Sequence, residues 1–292
     1  MTNTISANTL FHFTPTKENL LSILTRKFYV RYSLEIFDTI LDQETSELVV
    51  PMTCFCDIPL SQIKNHTSAY GNYAIGLSKS WGIKNQVSPV HYVYPNSTTS
   101  EILKSLSEQL QRFFDIEDNK TELNENNYLS QLPDEVQHLV ESHKTQENMR
   151  VAEKVLELQG QLAHFIRYLK PYEGKIYRNE KYSDEIQNFY EEREWRYVPQ
   201  KELLKKVAVK DSYKSEFFKN PIKRRLINIK LATHLKLDFK PDDIRFIIVK
   251  HDSEIPKILD EIHEIYRNKA TYDELRLLGT RLISLDQILQ NI

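Results

Sequence analysis

The chain has 292 residues, a formal net charge of −2, 27% charged and 40% hydrophobic residues, the composition of a well-cored globular protein that needs no disulfide or metal staple. Its six glycines form neither a G-x-G-x-x-G dinucleotide loop nor a phosphate loop, because Leu77 and Ser78 follow Gly71 and Gly76 where the latter needs Lys and a hydroxyl. No apolar run approaches the roughly 20 residues that span a bilayer, and residues 1–10 lack a signal peptide's basic start.

Residues 9–13 read as a strand, after which Thr14 caps a helix with Pro15 at its first position. Residues 28–33 and 48–58 are β-branched and aromatic enough for two further strands. Pro59 opens a helix ending near Gly71, residues 73–78 form the next strand, and 87–94 continue the β region. From Thr98 to about Phe114, Leu103, Leu106, Leu110 and Phe113 recur at helical spacing. A second helical run from Val151 to Leu169 stops before Pro171. Strands return at 189–198, 226–231 and 244–249, and Ile258, Leu259, Ile262, Ile265 and Tyr266 mark a C-terminal helix. The mixed order predicts one α+β domain over residues 1–292, with 98–170 a helical insertion between strands.

Charge is uneven. Residues 101–170 hold 8 Lys/Arg against 13 Asp/Glu, and 171–230 hold 15 against 10. The basic stretch reads as a mixed solvated surface, with nucleic-acid contact as the rival. Cys54 and Cys56 stand too close for a comfortable disulfide, which suggests a reducing cytoplasm. Zinc needs further ligands at spacings absent here, so both are read as small buried hydrophobes with no metal.

Four places could carry chemistry. His12, between Phe11 and Phe13, points to the opposite strand face, as a ligand or as an ordinary structural histidine. Arg31, Tyr32 and Ser33 close the second strand and offer a stacking ring and groups for phosphate or ribose oxygens. His66 and Tyr70, four apart, share one helix face and could line a pocket or merely pack. In residues 190–196, a strand would project Glu192 and Glu194 from one face, where the carboxylates repel unless Arg193 or Arg196 compensates. On that geometry Glu194→Gln should leave folding unchanged or slightly improved.

Leu10-Phe-His-Phe-Thr14, Pro51-Met-Thr-Cys-Phe-Cys-Asp-Ile-Pro-Leu-Ser61, His66, Tyr70-Gly71, residues 74–79, Trp81-Gly82, residues 89–92 and the late Glu-Arg-Glu-Trp-Arg run resemble the AbiGi family of abortive phage resistance proteins. That resemblance implies an anti-phage role, an antitoxin label, and a cognate toxin or phage protein as partner. More distantly, a His-bearing first strand, an aromatic-Ser second strand and a late Glu-x-Glu look like the ADP-ribosyltransferase superfamily. This likeness implies a split mixed sheet whose cleft takes NAD as substrate, with protein, nucleic acid or water as acceptor. It implies His12 and Glu194 as catalytic groups and Glu192 as the upstream carboxylate. Thr14, Arg31, Tyr32 or Ser33, His66 and Tyr70 would then bind the dinucleotide. The rival is a non-catalytic antitoxin or regulator.

Overall fold

In the computed structural model of the protein, the described residues are 7–41, 47–106, 160–178 and 180–290, with isolated positions between 108 and 158. Eight strands form one mixed sheet: β1 (Thr9–Thr14), β2 (Arg31–Ile36), β3 (Glu47–Cys56), β4 (Tyr73–Ser78), β5 (Ser88–Pro89), β6 (Glu194–Tyr197), β7 (Ile244–Val249) and β8 (Leu282–Ser284). Their order in space is β8-β7-β4-β1-β3-β6-β5, with β2 also paired to β3. Every pairing is antiparallel except β7 with β8.

One feature of the register positions the site. β1 pairs with β4 along its whole length, from Thr9↔Ser78 to Thr14↔Tyr73. It meets β3 at one register pair, Phe11↔Cys56. β3 is shared, its first part pairing with β2 and its last four residues with β6. The sheet therefore parts between β1 and β3.

The largest core cluster joins Leu10, Phe55, Ile75 and Leu77 of the sheet to two helices. These are α1 (Lys17–Arg26), through Leu20 and Leu24, and the Ile255–Tyr266 helix, through Ile258, Ile262 and Tyr266. α1 is capped by Thr16, whose hydroxyl accepts the Asn19 N–H at 3.2 Å. The expected cap, Thr14, still belongs to β1, because strand pairing holds through Tyr73 and the chain turns only afterwards. A second helix, α2, spans Ile63–Tyr70.

Four other expectations are corrected. Residues 226–231 lie in helix α3 (Pro221–His234), not a strand. Asn220 caps it through the Ile222 and Lys223 N–H groups, Pro221 fits its first turn, and Ile227 and Leu231 fall on its buried side. The 87–94 segment splits into β5 and a strand His91–Val93, which pairs in parallel with Leu169–Pro171 outside the main sheet. The 151–169 helix therefore ends before Leu169, which the parallel pairing draws into a strand. The 189–198 segment opens with a 3₁₀ turn, Phe189–Glu192, because Arg193 adopts the left-handed conformation at φ 45° and lets β6 start only at Glu194.

Residues 98–106 and 160–166 are helical. Leu103, Ala163 and Ile166 pack with Phe37, Ile40, Leu41 and Val93 in a satellite core. Leu110, Phe113, Val151 and Val155 lie outside the described residues. Among the described residues, no helix is long and apolar enough to cross a membrane.

Candidate functional site

Where β1 and β3 part, a pocket of about 270 Å³ opens, near the lower end of the ~300–1,000 Å³ common for small-ligand sites. β1 contributes His12 and β2 contributes Ser33 and Glu35. Cys54 and Cys56 come from β3, His66 and Tyr70 from α2. Glu192 from the 3₁₀ turn, Glu194 from β6 and Lys170 complete its polar lining.

The floor of the pocket is a buried ion network. The Lys170 ammonium lies 2.6 Å from Glu192 Oε2 and 2.6 Å from Glu194 Oε2. Arg196, with no exposed surface, donates through Nε to Glu194 Oε1 at 2.8 Å, through Nη2 to Glu35 Oε2 at 3.1 Å, and through Nη1 to the Arg167 carbonyl at 2.8 Å. The Tyr70 hydroxyl donates a short hydrogen bond to Glu192 Oε1. The Glu194 backbone N–H donates to the Tyr92 hydroxyl at 2.8 Å. Burial alone would raise the Glu194 pKa, but the Arg196 and Lys170 charges and hydrogen bonds overcome it and hold the carboxyl well below its ordinary range. Burial likewise opposes the charge on Lys170, and Glu194, Glu192 and Glu35 keep it protonated well above its usual pKa.

Glu192 and Glu194 do meet, though not as neighbours on one strand face. The left-handed residue Arg193 breaks the strand between them, and Lys170 clamps the two carboxylates from the far side. Of the two cations considered for this role, Arg196 fills it beside Glu194.

His12 donates from Nδ1 to the Cys54 carbonyl at 2.7 Å, which leaves Nε2 as an acceptor, and its ring stands edge-on to Phe28 at 5.1 Å. His66 Nε2 lies 3.3 Å from the Glu192 carbonyl. Burial lowers the pKa of both rings from 6.5. Below pH 6.5 the unfolded chain therefore binds protons that the native rings refuse, so stability falls as pH drops from 6.5 towards the native values. The urea midpoint should decline between pH 7 and 5.5, and His66→Gln should flatten the slope. A constant midpoint in the wild type would contradict this reading.

Three candidates stand away from the pocket. Tyr32 points to the other side of β2 from Ser33, as the two-residue strand period requires. Its hydroxyl donates to the Lys210 carbonyl and its ring packs edge-on against Tyr213 at 5.0 Å. Arg31 is exposed, and Thr14 is buried at the end of β1, where it pairs with Tyr73. Cys54 is partly rather than fully buried, and both thiols are free. Burial pushes both thiol pKa values up. Among the described residues, no cluster of three or more His, Cys, Asp or Glu could hold a metal.

Lys170 and Glu35 carry no motif that sequence reasoning could isolate, and Tyr92, though inside the 89–92 stretch, gives no sign in the sequence of its hydrogen bond to Glu194. Lys170 reads as a helix end before Pro171, and Glu35 falls just past the strand expected over 28–33, which in the structure runs on to Ile36. The Tyr70-Gly71 pair has a local cause. Gly71 ends α2 at φ 115°, where a Cβ would lie 2.3 Å from the Pro15 Cα and 2.4 Å from the Thr14 carbonyl oxygen. Bare backbone there lets α2 dock on the end of β1, which places Tyr70 and His66 over the pocket. Gly71→Ala should cost at least about 1–3 kcal/mol from strain at this φ, before the clash is counted. An unchanged urea midpoint would refute the close approach.

The family model described as "Putative abortive phage resistance protein AbiGi, antitoxin" matches residues 26–250. The chain belongs to the AbiGi family. It is 26% identical over 264 residues to the abortive phage resistance protein AbiGi of Lactococcus lactis subsp. cremoris, covering 83% of this chain and 88% of that protein. The AbiGi match takes in Ser33, Glu35, Tyr70, Lys170, Glu192, Glu194 and Arg196, whereas β1 with His12 precedes it. No solved structure matches.

Proposed function

We propose that this AbiGi-family chain acts in anti-phage defence through an ADP-ribosyltransferase-like site that takes NAD, transferring ADP-ribose or cleaving the dinucleotide. The observation that carries this reading is the convergence of His12, Tyr70, Glu192 and Glu194 on one pocket in the part between β1 and β3. In such a reaction the bond between ribose C1′ and the cationic nicotinamide breaks, and its electron pair neutralises the ring nitrogen. Positive charge grows on the ribose, and a fixed carboxylate beside it lowers the barrier. Glu194 is that carboxylate, held from beneath by Arg196. His12 Nε2 accepts a ribose hydroxyl, and the Tyr70 ring packs on the nicotinamide. Lys170, in the ion network on the pocket floor, is the partner that the cationic nicotinamide ring displaces from Glu194. Glu192 then takes the proton of the acceptor, whether that is protein, RNA, DNA or water.

A second reading has its own support. Each carboxylate is paired with a cation of the chain itself, and the family is described as an antitoxin. Here the network serves to hold the fold, and the chain works by binding a cognate toxin. Mass spectrometry of NAD incubated with the purified chain and a cell extract separates the two. The enzyme reading expects NAD loss with free nicotinamide, and ADP-ribose either free or attached to an acceptor. The binding reading expects NAD to be recovered intact.

A further inference from the structure

Helix α3 is apolar on two opposite sides. Ile227 and Leu231 are buried with Val30, Tyr32, Val49 and Leu204. On the far side, Ile222, Leu226 and Ile229 are 73%, 62% and 53% exposed, and their spacing of i, i+4 and i+7 aligns them in one stripe. The helical period puts Lys223 and Lys230 along one flank of the stripe and Arg225 along the other. α3 contains no Asp or Glu, and residues 201–234 hold ten Lys/Arg against three Asp/Glu in a chain of net charge −2. One of those three, Asp211, is tied to Arg167 at 2.6 Å. The other two, Glu202 and Glu216, lie on neighbouring helices.

Single exposed apolar residues are ordinary, but a framed stripe of three on an otherwise cationic face is a surface built for contact. We propose that this face of α3 docks a partner protein presenting an apolar groove with an acidic rim. The i, i+4, i+7 anchors match helix-in-groove recognition, and the flanking cations complement an acidic rim. Two copies of this face would set Lys223, Arg225 and Lys230 against their own like charges. Nucleic acid would meet the cations but leave the central aliphatic stripe against phosphate. A lipid surface would take the stripe without the aromatic anchors usual at that interface, which α3 lacks. The inference stands apart from the chemistry of the pocket.

The test places a photo-crosslinking residue at position 226 of the full chain in host cells, before and after phage infection. The proposal expects an adduct with one protein, through a peptide rich in Asp and Glu. Arg225→Glu should cut its yield by about tenfold or more. Lys223→Glu, on the other flank, should do the same, and Glu194→Gln should leave it unchanged in the folded fraction. Adducts with nucleic acid, lipid, a second copy or a non-acidic protein surface would overturn the proposal. So would the absence of any adduct, or an adduct indifferent to both charge reversals.

Discussion

Arg196→Met is expected to destabilise the fold by about 3–5 kcal/mol, the cost of leaving a buried charge without its partner. The guanidinium is fully buried and spends its three nitrogens on Glu194, Glu35 and the Arg167 carbonyl. Methionine fills similar space but takes the guanidinium from Glu35 and leaves Glu194 with Lys170 as its cationic partner. A loss of this size takes up a large share of a typical 5–15 kcal/mol stability. Lysine should rescue little, since one ammonium cannot reproduce the planar fork that reaches three acceptors. Urea unfolding followed by circular dichroism measures the effect. A change under about 1 kcal/mol would place the ion pairs among weak surface contacts instead.

Glu194→Gln should act twice. On the NAD reaction proposed above, turnover should fall about 10²–10³-fold, or roughly 3–4 kcal/mol, as expected when a preorganised charge opposite the transition state is removed. Stability should fall as well, by about 1–3 kcal/mol, because Lys170 and Arg196 both lose an anionic acceptor in a buried place. The second effect reverses the sign expected from sequence. Two neighbouring carboxylates on a strand repel, so neutralising one should help. In the fold, Glu194 sits between two cations, and its negative charge is an asset. Protection of the folded state from this group holds above its unfolded pKa and is lost only as pH falls through its depressed native value. Activity must therefore be normalised to folded protein.

Local chemistry made part of this architecture readable. The two-residue period of residues 9–14 sets His12 opposite Phe11 and Phe13, and the same period separates Ser33 from Tyr32. Tyr70-Gly71 stood out as a motif, and its reason is a close backbone approach visible only in three dimensions. What sequence hid depends on distant partners. Lys170 reaches the site because Leu169–Pro171 pairs with His91–Val93, a strand far away in the sequence. Arg193 breaks a stretch whose residue types favour a strand, so the route by which Glu192 meets Glu194 could not be read from spacing. The run 226–231 has β-branched residues on both sides of a helix, one face buried and one exposed, which mimics a strand.

Phage plating on cells carrying the intact system tests the central claim most directly. It compares wild type with Glu194→Gln, at matched levels of folded chain. If the pocket around Glu194 performs the chemistry of defence, the variant loses protection and plating returns to that of undefended cells. Full protection by folded Glu194→Gln would contradict the account and leave the ion network as structure alone.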